Sequence, residues 1–292
     1  VIPLKKYQNE QLLRECYEKH KSMVEVAKEL EANEKTIAIW MKKFNIQNVG
    51  TQGARKNNFN HDYFKEIDTE EKAYWLGFIM ADGCVYKGSK GTSYRLQINL
   101  KSTDIEHLNK FQQSIGSSYK IQVKKIKQHE ACLLKVNSTI MCKDLMKWNV
   151  IPSKSLICEM PILKKELKKH FIRGYFDGDG SLDLHKKKDP RARIVGGETM
   201  LQQIKDFLDE EGMQSKVAAP TKNKSTYTLE IPVGKESMKF MSWLYEDSSI
   251  SLDRKVQRYE TYNVPFRSNP VDKIQVNCGE SLRAFTTNHV QG

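Results

Sequence analysis

One short pattern occurs twice in this chain, and that repetition limits the fold more than any other feature. Residues 75–83 read Trp-Leu-Gly-Phe-Ile-Met-Ala-Asp-Gly, and residues 172–180 read Ile-Arg-Gly-Tyr-Phe-Asp-Gly-Asp-Gly. Each copy places Gly, a small residue four positions on, and then Asp-Gly, so the two acids recur 97 residues apart as Asp82 and Asp179. A duplicated apolar helix that ends in a carboxylate predicts a pseudo-symmetric dimer folded from one chain.

The flanking segments repeat as well. Asp68-Thr69-Glu70-Glu71 carries a capping-box pattern, with Asp68 at the cap, ahead of a helix over 70–81. Strand-like runs follow Gly83, and Tyr94–Lys101 alternates bulky apolar even positions with polar odd ones, the period of a half-buried strand. A helix over 103–115, strands near 119–127 and 131–137, and a helix over 138–148 complete the first repeat. The second retraces this order: helix 162–178, strands near 181–187 and 191–196, helix 199–211, strands near 214–219 and 225–231, and helix 235–245. Lys154, in Pro152-Ser153-Lys154, follows Asp82 by 72 residues, and Lys255, in Arg254-Lys255, follows Asp179 by 76. The expected fold is α+β, with repeats over 61–160 and 161–267 and a tail, 268–292, to which no role is assigned.

Before the repeats lie helical stretches over 8–20 and 22–46, the second interrupted by the polar turn Glu31-Ala32-Asn33-Glu34. Asn33 is placed to cap the later helix. A short helix, a tight turn and a second helix with a basic end predict a small all-α, helix-turn-helix-like DNA-binding domain over 1–46, with Thr36, Lys42 and Lys43 as DNA contacts. The run 47–60 is polar, rich in Gly and Asn and basic; it reads as a linker whose Arg55 and Lys56 touch phosphates.

The bulk composition agrees. A net charge of +12 over 292 residues makes a polyanion the simplest partner. No run of 18 apolar residues is present, so no spanning helix and no membrane partner are expected. Val1–Lys6 is too short a hydrophobic run for a secretory signal, and a start at Val1 rather than Met fits a processed end. The six cysteines form no C-x-x-C pair, which argues against zinc. Scattered thiols point to a reducing intracellular compartment: the cytoplasm of a bacterium or phage-infected cell, or an organelle.

Ala73, Gly77 and Ala81, and then Gly174 and Gly178, recur four residues apart and form a smooth stripe along each motif helix. Two such stripes predict helices packed backbone to backbone. Asp82 and Asp179 would then project from the helix C-termini towards a shared point, where the negative helix ends and their mutual repulsion call for a cation. Hard oxygen ligands select Mg²⁺ or a similar ion, completed by water and phosphate oxygens. Asp177 has no counterpart in the first copy, where Met80 stands, and this asymmetry argues for a local cap, or for support of the metal ligands, over metal ligation itself.

On these residues the chain resembles the LAGLIDADG homing endonucleases in their single-chain, two-repeat form, over roughly residues 61–267. The resemblance implies two αββαββα repeats with saddle-shaped antiparallel sheets lying along the DNA major groove. It implies site-specific hydrolysis of both strands of a long site, with short 3′ overhangs, by a monomer that uses Mg²⁺ or Mn²⁺, with Ca²⁺ binding without turnover. It assigns metal ligation to Asp82 and Asp179, assisted by the carbonyls of Ala81 and Gly178, and leaves the number of metals open. Lys154 and Lys255 match the basic residues that orient the attacking water and phosphate. Lys101 matches a further polar residue after the long strand, with Leu100 an alternative occupant of that place; the second repeat offers only Gly196-Gly197.

The polar strand faces are then the expected DNA-reading surfaces. Arg95, Gln97 and Asn99, with Arg191 and Arg193 in the second repeat, have side chains suited to base edges. Gln122, Lys124, Lys222 and Lys224 fit phosphate contacts better. The same basic surface is compatible with an intron-RNA-binding maturase, and the N-terminal module with a non-cleaving DNA-binding regulator, although retention of both acids favours cleavage. Self-splicing is not expected, because Val1 and the closing Thr287–Gly292 lack the residues that it needs.

Overall fold

The computed structural model describes residues 5–20, 22–47, 59–88, 92–126, 129–152, 158–185, 188–220 and 225–267. Chain contacts divide the protein into two units, Val1–Trp75 with Asp82–Ser153, and Leu76–Ala81 with Lys154–Gly292. The middle of the first motif helix thus belongs to the second unit.

The first unit opens with three helices, α1 (Glu10–His20), α2 (Met23–Glu29) and α3 (Glu34–Lys43). They enclose a core of their own, which includes Leu13, Tyr17, Val26, Ile37 and Met41. The Asn33 side chain accepts a 2.8 Å bond from the Thr36 amide, as expected of an N-cap.

Motif helix α4 (Glu70–Asp82) follows, then β1 (Gly83–Lys87), β2 (Tyr94–Lys101), α5 (Ile105–Ser114), β3 (Gln122–Ile126), β4 (His129–Asn137) and α6 (Thr139–Lys147). The strands form an antiparallel sheet of order β1-β2-β4-β3. Leu96, Ile98 and Leu100 of β2 are buried, as are Leu134 and Val136 of β4, with Leu108 and Phe111 of α5 and Met141 and Leu145 of α6. Burying one such side chain is worth about 1.5–3 kcal/mol, and a one-residue slip would turn the whole row to solvent, so the alternation fixes the register.

The second unit repeats the order with α7 (Lys165–Asp179), β5 (Gly180–His185), β6 (Lys188–Gly196), α8 (Glu198–Glu210), β7 (Lys216–Ala218), β8 (Tyr227–Glu230) and α9 (Lys235–Tyr245). Its sheet has the matching order β5-β6-β8-β7. The repeats agree even in a helix stop: α5 and α8 are followed by Gly116 and Gly212 with φ of +64° and +70°. The residue after each glycine donates back into its helix at 2.8 Å, Ser117 to Gln112 and Met213 to Leu208.

Three local expectations are corrected. The α4 cap is Thr69, not Asp68: the Thr69 hydroxyl accepts from the Lys72 amide at 3.3 Å, while Asp68 pairs with the Lys72 ammonium at 2.7 Å. The helix expected from residue 162 begins at Lys165. A final helix, α10 (Asp253–Arg267), was not foreseen, because its sequence is strongly polar and carries no clear apolar stripe. Cys16, Cys84, Cys132, Cys142 and Cys158 are free thiols, and no helix among the described residues is long and apolar enough to cross a membrane.

Candidate metal and nucleic-acid sites

In the first unit, Asp82 is the last residue of α4 and is exposed, and Gly83 begins β1 directly after it. The last turn of α4 holds no basic residue, and the carboxylate stands at the negative helix end. Ala81, whose carbonyl is the expected second ligand, is half-buried.

In the second unit, α7 ends at Asp179, which is half-buried, as is Gly178 before it; Gly180 leads into β5. A Cβ on Gly180 would stand 2.5 Å from the Phe176 carbonyl oxygen, so the helix-to-strand turn requires glycine. Two buried groups hold this end of the helix. The Asp177 carboxylate accepts from the Tyr245 hydroxyl at 2.5 Å and from the Leu252 amide at 2.7 Å. Lys255, 5% exposed, donates to the Gly180 carbonyl at 2.6 Å and to the Phe176 carbonyl, with its ammonium 4.8 Å from the centre of the Phe176 ring. Asp177 therefore has the structural role that its asymmetry suggested, and Lys255 is a buried cation clasping the helix terminus.

Burial, and then the charge of Asp179, push the Tyr175 phenol well above its usual range. Carboxylate and carbonyl oxygens are a donor set that fits a hard divalent cation.

Helix packing follows the small-residue stripe. A Cβ on Gly77 would lie 2.9 Å from the Tyr175 amide nitrogen and closer still to the Phe171 carbonyl oxygen, so within the second unit the α4 segment meets α7 backbone to backbone.

Each sheet presents one polar face. In the first, Arg95, Gln97, Asn99 and Lys101 share it with Tyr86, Gln122, Lys124, Lys135 and Asn137, as the register requires. Its cations, Arg95, Lys101, Lys124 and Lys135, have no acid among them. Arg95 lies over the Tyr86 ring at 5.5 Å, and its Nε is buried with no hydrogen-bond partner among the described residues. Lys101 ends β2 on this exposed face, while Leu100 points to the core.

In the second sheet Ser181, Asp183, Arg191, Arg193, Val195, Lys216, Thr228 and Glu230 share the face. Arg193 is ion-paired with Asp183 there. Gly83 faces Ile98 and Gly180 faces Ile194, which aligns the repeats. Arg95 then matches Arg191, Gln97 matches Arg193, Asn99 matches Val195, and Lys101 matches Gly197. Gly196 corresponds to Leu100 and leaves room for the Tyr175 hydroxyl, which would lie 2.5 Å from a Cβ at that position. The second repeat thus has no side chain where the first has Lys101.

Tyr86, Lys135, Asn137, Lys216, Thr228 and Glu230 also lie on these faces and were not picked out from sequence. In β4 the signal was hidden because Leu133, although apolar, falls on the polar side of Cys132-Leu133-Leu134. Arg55, Lys56, Lys154, Lys222 and Lys224 lie outside the described residues. Of the N-terminal candidates, Lys42 and Lys43 are exposed, whereas the Thr36 hydroxyl donates to Asn33 Oδ1 at 3.0 Å. Cys16, His20 and Glu29 bring three ligand-type atoms within 4.8 Å, but Lys19 already holds the Glu29 carboxylate at 3.0 Å, and a cation there opposes a metal.

A family model described as the LAGLIDADG-like domain matches residues 69–144 and 166–242, one segment in each repeat. Among solved structures, the chain is similar to I-DmoI in complex with DNA and Ca at 19% identity, over 69% of this chain and 99% of that one, with a TM-score of 0.47. It is similar to the LAGLIDADG homing endonuclease I-GzeII in complex with its DNA target at 15% identity, over 66% and 88%, with a TM-score of 0.48. The meganuclease I-SmaMI, bound to uncleaveable DNA, is 13% identical over 66% and 90%, with a TM-score of 0.45. No curated protein matches the chain. With more than half of its residues matched, once in each repeat, the chain belongs to the LAGLIDADG family.

Proposed function

We propose that this protein is a site-specific endonuclease that hydrolyses both strands of a long DNA site with divalent metal and leaves short 3′ overhangs. The observation that carries this reading is the repeated unit itself: a motif helix ending in an acid, then Gly, then the first strand of a sheet with one polar face, cationic in the first repeat and of mixed charge in the second. Two such units supply one acid for each strand of a duplex. In the related structures, I-DmoI is bound to DNA with Ca and with Mn.

Asp82 and Asp179, and the Ala81 and Gly178 carbonyls, would serve as ligands to divalent metal. The ion, when bound, supplies a nucleophilic hydroxide and stabilises the leaving oxygen. The protein's own part is positioning. Asp177 and Lys255 hold the end of α7 and so set the direction of Asp179. Lys255 acts in this reading through the helix terminus, and Lys154 and Lys101 orient water and phosphate. Arg95, Gln97, Asn99 and Arg191 read base edges, Arg193 does so on release from Asp183, and Gln122, Lys124, Lys222 and Lys224 hold phosphates. The helical module over 1–46 lengthens the DNA footprint, and Arg55 and Lys56 touch phosphates.

The test is incubation of the full chain with Mg²⁺ and a plasmid library carrying randomised inserts, followed by sequencing of linearised molecules. A recurrent site with staggered 3′ ends supports the reading. Binding without cutting would point instead to a regulator, and preference for structured intron RNA to a maturase.

A further inference from the structure

The N-terminal module carries an exposed helix face whose composition specifies what it reads; the inference rests on the proposal that duplex DNA is the substrate. On α3, Ile37 and Met41 are fully buried in the module's own core. Lys35, Ala38, Ile39 and Lys42 are exposed, a spacing of three, four and seven that makes them one stripe on the opposite side. Ile39 is 65% exposed, at the middle of the stripe between the two lysines.

Charge shows which way this face turns. Helices α1 and α2 carry Glu10, Glu15, Glu18, Glu25 and Glu29 against Arg14, Lys19 and Lys28, a net charge of −2, whereas α3 carries Glu34 against Lys35, Lys42 and Lys43, a net charge of +2. The module is thus polarised, with α3 as the side that a polyanion would meet. Lys43 is held 4.2 Å over the Trp40 ring, and the Thr36 hydroxyl is used in the cap, so neither belongs to the stripe.

An apolar centre flanked by lysines is chemically matched to one floor of a duplex. In the major groove only thymine offers a methyl group, and apolar side chains read it, while lysines on either side reach phosphates or guanine acceptors. We infer that α3 lies in the major groove of the substrate's flank and that Ile39, with Ala38 beside it, is a specificity residue for a thymine methyl. Site choice then comes from this helix as well as from the two sheets.

The methyl can be removed from the DNA without changing base pairing. Duplexes selected from a randomised library by the full chain, with Ca²⁺ in place of Mg²⁺, are resynthesised with each flanking thymine replaced in turn by deoxyuridine. One or two positions should lose affinity by about fourfold, the worth of one buried methyl-sized group. The Ile39→Ala variant, checked by circular dichroism and melting temperature, should bind the thymine and deoxyuridine duplexes alike. If no replacement outside the sheet-bound region matters, or if Ile39→Ala still distinguishes the two bases, the inference fails, and a face for a protein partner is what remains. A protein that selects no duplex at all would instead overturn the proposed function.

Discussion

Asp177 accepts a 2.5 Å hydrogen bond from Tyr245 in a site where neither residue meets solvent freely, two positions before the acid that would bind metal. With the Leu252 amide on its other oxygen, this carboxylate ties the end of α7 to α9 and to the segment that opens α10. Asp177→Ala leaves a buried hydroxyl and a buried amide without their acceptor. We expect it to cost about 2–4 kcal/mol in urea unfolding, whereas Tyr245→Phe, which removes one donor, should cost about 1–2 kcal/mol. Equal stability of Asp177→Ala and the parent protein would show that the staple is idle.

Asp82→Asn and Asp179→Asn keep side-chain shape and remove charge. Each should slow cleavage by at least about 10²-fold, since charge stabilisation by a metal is worth several kcal/mol, while duplex affinity stays within about threefold. Single-turnover cleavage and a gel-shift titration measure the two effects separately. Parallel loss of binding would mean that the acids do more than hold metal.

Gly77→Ala sets two effects against each other. Alanine favours the helix by about 1 kcal/mol over glycine, but its methyl would strike the backbone of Phe171 and Tyr175. Because backbone cannot swing aside, overpacking of about 1–3 kcal/mol should win and lower the melting temperature. A stabilised variant would mean that the two helices stand further apart.

Tyr63, Tyr175 and Tyr245 all have phenols held above their usual range, mainly by burial and then by Glu71, Asp179 or Asp177 nearby. A raised folded pKa gives stability that is complete below the unfolded value, about 10, and is lost as pH rises beyond it. The urea midpoint should therefore be insensitive to these groups at pH 7–9 and fall above about pH 10, and Tyr175→Phe should make that fall shallower. An alkaline slope unchanged in the variant would remove Tyr175 from the account.

Among the described residues the polar face of the first sheet holds four cations and no acid, whereas in the second Asp183 and Glu230 stand beside Arg191, Arg193 and Lys216. Phosphate contacts should weigh more on the first. Replacing both Lys101 and Lys124 by Gln should reduce the slope of log affinity against log salt by about 2, close to 0.9 for each lost contact. An unchanged slope would place those lysines off the DNA backbone.

Sequence alone was sufficient for whatever depends on spacing within one element. The two Gly-to-Asp-Gly motifs, the alternation that buries Leu96, Ile98 and Leu100, and the Asn33 cap rest on the periods of helix and strand or on a bond spanning three residues. Tertiary structure alone decided the partners of charged groups. Lys255 has the look of a surface lysine, yet it is buried because the Phe176 and Gly180 carbonyls, more than 70 positions away in the chain, accept hydrogen bonds from it. Arg193 is held by Asp183 across a strand pair, and α10 finds its place through Leu252 and Lys255 although its own sequence shows little amphipathic pattern. The reason is range: periodicity is written locally, whereas the field and solvation that set a charge's role come from residues that only folding brings near.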